Sequence, residues 1–161
     1  MSVAFTKEPD VELLEDLPDR PISPHRNLVT AEGLARIEQE VERLQHELTQ
    51  LQITPQDEQS PEERAATARV ARDLRYWTAR RSSAELVPPM VGTDRVHFAS
   101  KVTIEREDGR RHTYRIVGED EADPSQGLIS HVSPLAKALI GRRVGESAKF
   151  GNNEAAVIHI A

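Results

Sequence analysis

The sequence contains no cysteine, which rules out disulfides, thiolate metal sites and a cysteine nucleophile. It has no apolar run of the roughly 20 residues that a membrane-spanning helix needs and no secretory leader pattern. A cytoplasmic chain without a membrane partner is therefore expected. Neither a Gly-rich phosphate loop nor a G-x-S-x-G elbow occurs. His25, His46, His97, His112, His131 and His159 are scattered, with no HExxH or related spacing, so no resident metal is expected. Positive charge is also in short supply, because 21 Lys and Arg face 27 Asp and Glu for a formal net charge of −6. That balance is a poor match to independent binding of duplex DNA, where affinity comes mainly from cationic contacts to phosphate. The reading is a protein that is not itself an enzyme and that works through a protein partner.

What is present suggests one or two small domains, since the 161 residues are 37% hydrophobic and 30% charged. Residues 1–29 are acidic and punctuated by proline, with Glu8, Asp10, Glu12, Glu15, Asp16 and Asp19 among Pro9, Pro18, Pro21 and Pro24. So little apolar surface cannot offset the entropy of ordering, and the segment reads as an acidic flexible tail.

From Thr30 the pattern changes. Leu34, Ile37, Val41, Leu44, Leu48 and Leu51 recur at spacings of three and four, a heptad seam for which Thr30 is the natural N-cap. A stripe this narrow needs a partner. After the tip "ITPQDEQSPEERAA", Ser60-Pro61-Glu62-Glu63 combines an N-cap Ser, Pro at the first helical position and Glu at the third. Thr67, Val70, Leu74 and Trp77 then continue the spacing. Residues 30–87 thus read as an antiparallel coiled-coil hairpin, with Pro55 helping to end its first helix. The second helix carries Arg64, Arg69, Arg72 and Arg75, either for pairing with the acidic first helix or as a basic ridge facing nucleic acid.

Val87-Pro88-Pro89-Met90 closes the helix and starts a linker. Beyond it the period becomes two. Val96/Phe98, Val102/Ile104, Tyr114/Ile116 and Leu128 to Val132 read as strands, with a hairpin turn at Glu107-Asp108-Gly109. Ser133-Pro134 opens a short helix ending at Gly141, and strands at 147–150 and 155–160 complete a compact domain over residues 88–161. The fold class is α+β.

The stretch "TYRIVGEDEADPSQGLISHVSPLAKALIGRRVGE", residues 113–146, closely resembles the C-terminal domain of the GreA/GreB transcript-cleavage factors. "NLVTAEGLARIEQEVERLQHEL" resembles the start of their coiled coil. The resemblance implies an FKBP-like C-terminal domain that grips bacterial RNA polymerase at its secondary channel while the hairpin points inward. It implies a monomer that meets nucleic acid only within the polymerase complex. On that resemblance Asp120, Glu121, Asp123, Ser133 and Pro134 are the polymerase-binding candidates. In such factors tip acids help hold a transient Mg²⁺ shared with the polymerase, a role that suits carboxylates because hard cations prefer anionic oxygen. No other cofactor is expected.

The tip departs from that pattern. The family's motif, approximately Gly-Asp-Leu-x-Glu-Asn-Ala-Glu-Tyr, does not occur between Leu51 and Trp77, which leaves Asp57 and Glu58 as candidate tip acids. Each arm is also shorter by several residues, which at a rise of about 1.5 Å per residue brings the tip roughly 10 Å short. The expectation is a secondary-channel regulator without efficient cleavage stimulation. The alternatives are an active cleavage factor using Asp57 and Glu58, and a binder of a non-polymerase protein such as a nucleoside diphosphate kinase.

Overall fold

A computed structural model describes residues 17–161. They fall into two compact units, residues 17–23 with Ile37–Ser82 and Pro24–Arg36 with Ser83–Ala161. Among the described residues no helix is long and apolar enough to cross a membrane.

The first unit is the helical hairpin. Helix α1 (Ala31–Leu51) begins in the second unit and supplies most of its length to the first; α2 (Pro61–Ser83) returns antiparallel after a 3₁₀ turn at Gln56–Glu58. Ile37, Val41 and Leu44 of the expected seam are buried, as is Val70 opposite them, while Leu74 and Trp77 are only half-buried. Leu44 and Val70 line one crevice between the helices, flanked by Arg43 and Glu47 on α1 and Arg69 and Asp73 on α2. Outside the seam α1 is held by its own charges: Arg43 pairs with Glu40 at 2.9 Å and with Glu47 at 3.0 Å, one turn away on either side.

The second unit is a mixed five-stranded sheet. Its strands are β3 (Lys101–Arg106), β4 (Arg111–Val117), β5 (Leu128–Ser130), β6 (Ser147–Phe150) and β7 (Asn153–Ile160), in the order β5-β4-β3-β7-β6. Only β4 and β5 run parallel. The short helix α3 (Pro134–Leu139) packs on β5 and β6 and closes a core of Val102, Ile104, Ile116, Ile129, Leu139 and Val157. This is the expected α+β arrangement, a helical hairpin followed by a domain built on a mixed sheet. Phe98, expected in a strand, instead belongs to a turn closed by Ser100 N–H donating to His97 O, in which Ala99 takes a φ of 70°, while Val96 donates its N–H to Arg142 O and accepts from Gly141 N–H beside the isolated antiparallel bridge Arg95–Arg143.

Residues 17–29, expected within a flexible tail, make specific contacts. Asp19 and Arg20 pair with α2, and Leu28–Val29 forms strand β1, parallel to β2 (Glu85–Leu86). The pairing is fixed by Glu85 N–H donating to Asn27 O at 2.8 Å and Val87 N–H to Val29 O at 2.9 Å. Backbone pairing of this kind needs no apolar run, so composition does not announce it. Residues 1–16, the rest of that expected tail, lie outside the described residues.

Candidate partner-binding site

Two regions carry the candidate residues: the hairpin tip and the acidic loop between β4 and β5.

At the tip the capping box forms as the sequence predicts. Glu63 N–H donates to Ser60 Oγ at 3.2 Å, and Ser60 N–H donates to the Glu63 carboxylate at 3.0 Å. That commits Glu63 to the helix end, where the macrodipole also favours an anion. Gln59, which the sequence did not single out, is buried and staples the turn. Its Nε2 donates to Leu51 O and to Thr54 O, both at 2.9 Å. Asp57 and Glu58 sit on the exposed 3₁₀ turn, and among the described residues neither side chain has a hydrogen-bond or ion-pair partner. Behind the turn, Thr54, Gln56, Gln59, half-buried Arg64 and Thr67 line a cavity of about 400 Å³. Farther along α2, Arg69 is exposed, Arg72 Nε donates to Asp73 at 3.3 Å, and Arg75 Nε donates to Asp19 at 2.6 Å. Arg72 and Arg75 are thus engaged by acids of this chain.

The acidic loop starts at Gly118, which β1 crosses so closely that a Cβ there would collide with the Leu28 carbonyl oxygen. Glu121, expected to face a partner, turns inward instead: it is 6% exposed and its carboxylate accepts a hydrogen bond from the Thr30 hydroxyl. Thr30 Oγ in turn accepts from Gly33 N–H at 3.0 Å, and its carbonyl accepts from Leu34 N–H at 2.9 Å, so Thr30 is the N-cap of α1. Glu121 therefore places its carboxylate at the positive end of the α1 macrodipole. Gly33 leaves the space, since a Cβ there would lie 2.7 Å from Glu121 Oε1. The first turn of α1 is further tied to the sheet by Glu32, 3.4 Å from Arg115 Nη2. A backbone hydrogen bond at the helix start and the Arg115 guanidinium hold the Glu32 carboxyl below its usual range.

Asp123 also serves its own loop. It caps the 3₁₀ turn Pro124–Gln126, accepting from Ser125 N–H at 3.1 Å and Ser125 Oγ at 2.5 Å. Ser133 caps α3 by accepting from Ala136 N–H at 3.2 Å, with Pro134 exposed at the first helical position. Of the five candidates, Asp120 is half-buried, like Asp123 and Ser133, and Pro134 is exposed. Beside the loop stands His131, which no motif or spacing singles out. Its ring meets Phe98 edge-on at 5.6 Å, and burial pushes its pKa below the ordinary 6.5 against the opposing pull of the Glu119 carboxylate.

Residues 91–160 match the family model "Transcription elongation factor, GreA/GreB, C-term". Among curated relatives, GreB of Neisseria meningitidis serogroup B is 40% identical over 87 residues, covering 53% of each chain. GreA of Geobacillus kaustophilus is 56% identical over 54 residues, covering 33% of this chain and 34% of that one. The chain thus matches about half the length of its more extensively aligned curated relatives. A crystal structure of GreA factor homolog 1 (Gfh1) of Thermus thermophilus is 23% identical, covering 85% of this chain and 99% of that one at a TM-score of 0.40, too loose a likeness to carry a structural argument. Over residues 91–160, the chain is similar to the C-terminal domain of the GreA/GreB transcription elongation factors.

Proposed function

We propose that the protein binds bacterial RNA polymerase at its secondary channel as a regulator of transcription elongation and stimulates transcript cleavage poorly. Its C-terminal domain supplies the grip, through the loop around Asp120 and the start of α3 at Pro134. The hairpin enters the channel, with exposed Arg69 oriented to nucleic acid inside the complex. The reaction modulated is the polymerase's own, so the chain acts as a factor and not as an enzyme.

The observation that carries this reading is the state of the tip acids. Metal-assisted hydrolysis needs carboxylates held in place, because a ligand set that must be ordered at the moment of reaction forfeits much of its advantage. Glu63 is committed to the capping box, and Asp57 and Glu58 are unbraced. A second reading is favoured by one fact. Asp57 and Glu58 are adjacent on the same exposed turn, so the polymerase could order them around a transient Mg²⁺.

The test is release of short 3′ RNA fragments from a stalled, backtracked elongation complex with Mg²⁺ present. Weak cleavage unchanged by Asp57→Ala/Glu58→Ala, together with dose-dependent suppression of an added GreA, supports the regulator. Strong cleavage lost in that double variant overturns it in favour of an active cleavage factor. Absence of polymerase binding rejects both.

A further inference from the structure

Residues 17–23 lie on the hairpin, and their contacts fall on α2. Arg20 is the anchor. Its guanidinium sits 3.9 Å from the Tyr76 ring centroid and 5.9 Å from that of Trp77, and its Nη1 lies 3.4 Å from Asp73 Oδ1. Tyr76 and Trp77 meet edge-on at 5.1 Å, so the cation faces a formed aromatic pair. One residue earlier, Asp19 accepts from Arg75 Nε at 2.6 Å. Positions 72, 75 and 76 occupy the arc of α2 away from the seam of Thr67, Val70, Leu74 and Trp77, and Asp73 stands at the seam's edge. The segment therefore reaches from the edge of the seam onto the arc that carries Arg72 and Arg75.

The attachment is specific but shallow. The Asp19 and Arg75 side chains remain 71% and 53% exposed, and those of Arg20 and Asp73 37% and 32%. Exposed ion pairs and a surface cation–π contact each contribute little and weaken with salt. The segment also rearranges the charges beneath it. Arg20 and Arg72 both approach Asp73 Oδ1, at 3.4 and 3.3 Å, and Asp19 neutralises Arg75. With the segment lifted, Arg75 loses its acid and the aromatic pair loses its cover.

We propose that residues 17–23 form a self-docked strap that masks the basic and aromatic face of α2 from polyanions, and that Arg20 is its latch. The inference concerns the free chain and does not depend on the polymerase reading.

Trp77 is the single tryptophan of the chain and reports on the latch directly. In the full-length protein, Arg20→Ala is expected to raise acrylamide quenching of Trp77 about two-fold, the scale of losing one surface cation–π cover. High salt raises wild-type quenching in the same direction. The second measurement is fluorescence anisotropy of a labelled single-stranded oligouridylate at low salt. Arg20→Ala removes a positive charge, so net electrostatics alone would weaken RNA binding, whereas unmasking tightens it, by about three-fold if one exposed ion pair is released. Adding Arg75→Ala to Arg20→Ala abolishes that gain. Unchanged quenching overturns the latch. Weaker, equal or undetectable RNA binding by Arg20→Ala overturns the masking, and circular dichroism confirms that each variant keeps its helices.

Discussion

The Thr30 hydroxyl donates to the Glu121 carboxylate across 91 positions of sequence, and both residues are buried. Through this bond an acidic residue of the C-terminal domain finishes the N-terminus of the hairpin's first helix. Two losses are therefore separable. Thr30→Ala removes the N-cap acceptor for Gly33 N–H and should cost about 1–2 kcal/mol. Glu121→Ala strands the Thr30 hydroxyl and removes the anion at the helix end, and should cost about 1.5–3 kcal/mol. Urea denaturation followed by circular dichroism measures both, and the double variant should lose less than the sum, because the two residues share one interaction.

Glu121 also decides how polymerase binding is best probed. Reversing charge at Asp120, Glu121 and Asp123 together would break the α1 cap and the Ser125 turn, so any loss of binding could reflect lost structure. Asp120→Lys alone is the cleaner variant. It should weaken association with polymerase several-fold in a pull-down while the unfolding midpoint stays close to wild type. Full binding by Asp120→Lys would remove the loop from the proposed interface.

Within the hairpin, burial ranks the seam. Ile37 is 2% exposed and Val41 fully buried, whereas Leu74 and Trp77 keep part of their surface. Ile37→Ala should cost about 2–5 kcal/mol, the range of a buried aliphatic truncation. Trp77→Ala should fall below the roughly 3–5 kcal/mol of a fully buried tryptophan despite removing the larger side chain. Thermal melts of the two variants give the comparison, and a greater loss for Trp77→Ala would place the energetic centre of the hairpin at the aromatic pair.

Local chemistry was legible in the sequence and distant chemistry was not. Ser60 and Glu63, or Ser133 and Ala136, lie three positions apart, so their caps follow from spacing alone. The seam of Ile37, Val41 and Leu44 follows from its heptad period. Thr30 was recognisable as a cap, yet its second partner, Glu121, is brought to it only by the fold. Its place in an acidic run, Glu119 to Asp123, suggests solvent. Strands β1 and β2, two residues each, carry too short a pattern to register. Residues 17–23 read as tail because composition counts apolar area, and Arg20 is held by a cation–π contact and an ion pair instead. For the same reason the candidate site was legible in its location but not in its division of labour. Glu121 and Asp123 have structural duties that type and position did not reveal, whereas the Ser133 cap was readable.

His131 gives the molecule a defined response to acid. Its pKa is lowered chiefly by burial, opposed by the Glu119 carboxylate and by a hydrogen bond to the Arg26 backbone, while His25 and the Arg26 charge push it down further. A base whose folded pKa is depressed binds its proton more readily in the unfolded chain. Above the ordinary value of 6.5 both states are neutral there and the fold keeps its full stability. As pH falls through that value the unfolded state takes up protons first, and stability declines until the folded-state pKa is reached. Glu32 and Glu85 have carboxyls lowered from 4.5, so their contribution is lost only in more acidic solution. The interval from roughly pH 7 to roughly pH 5 therefore isolates the histidine. Chemical denaturation across that interval should show wild-type stability falling with pH and a flatter profile for His131→Gln. Parallel slopes for the two proteins would mean that His131 does not carry the response.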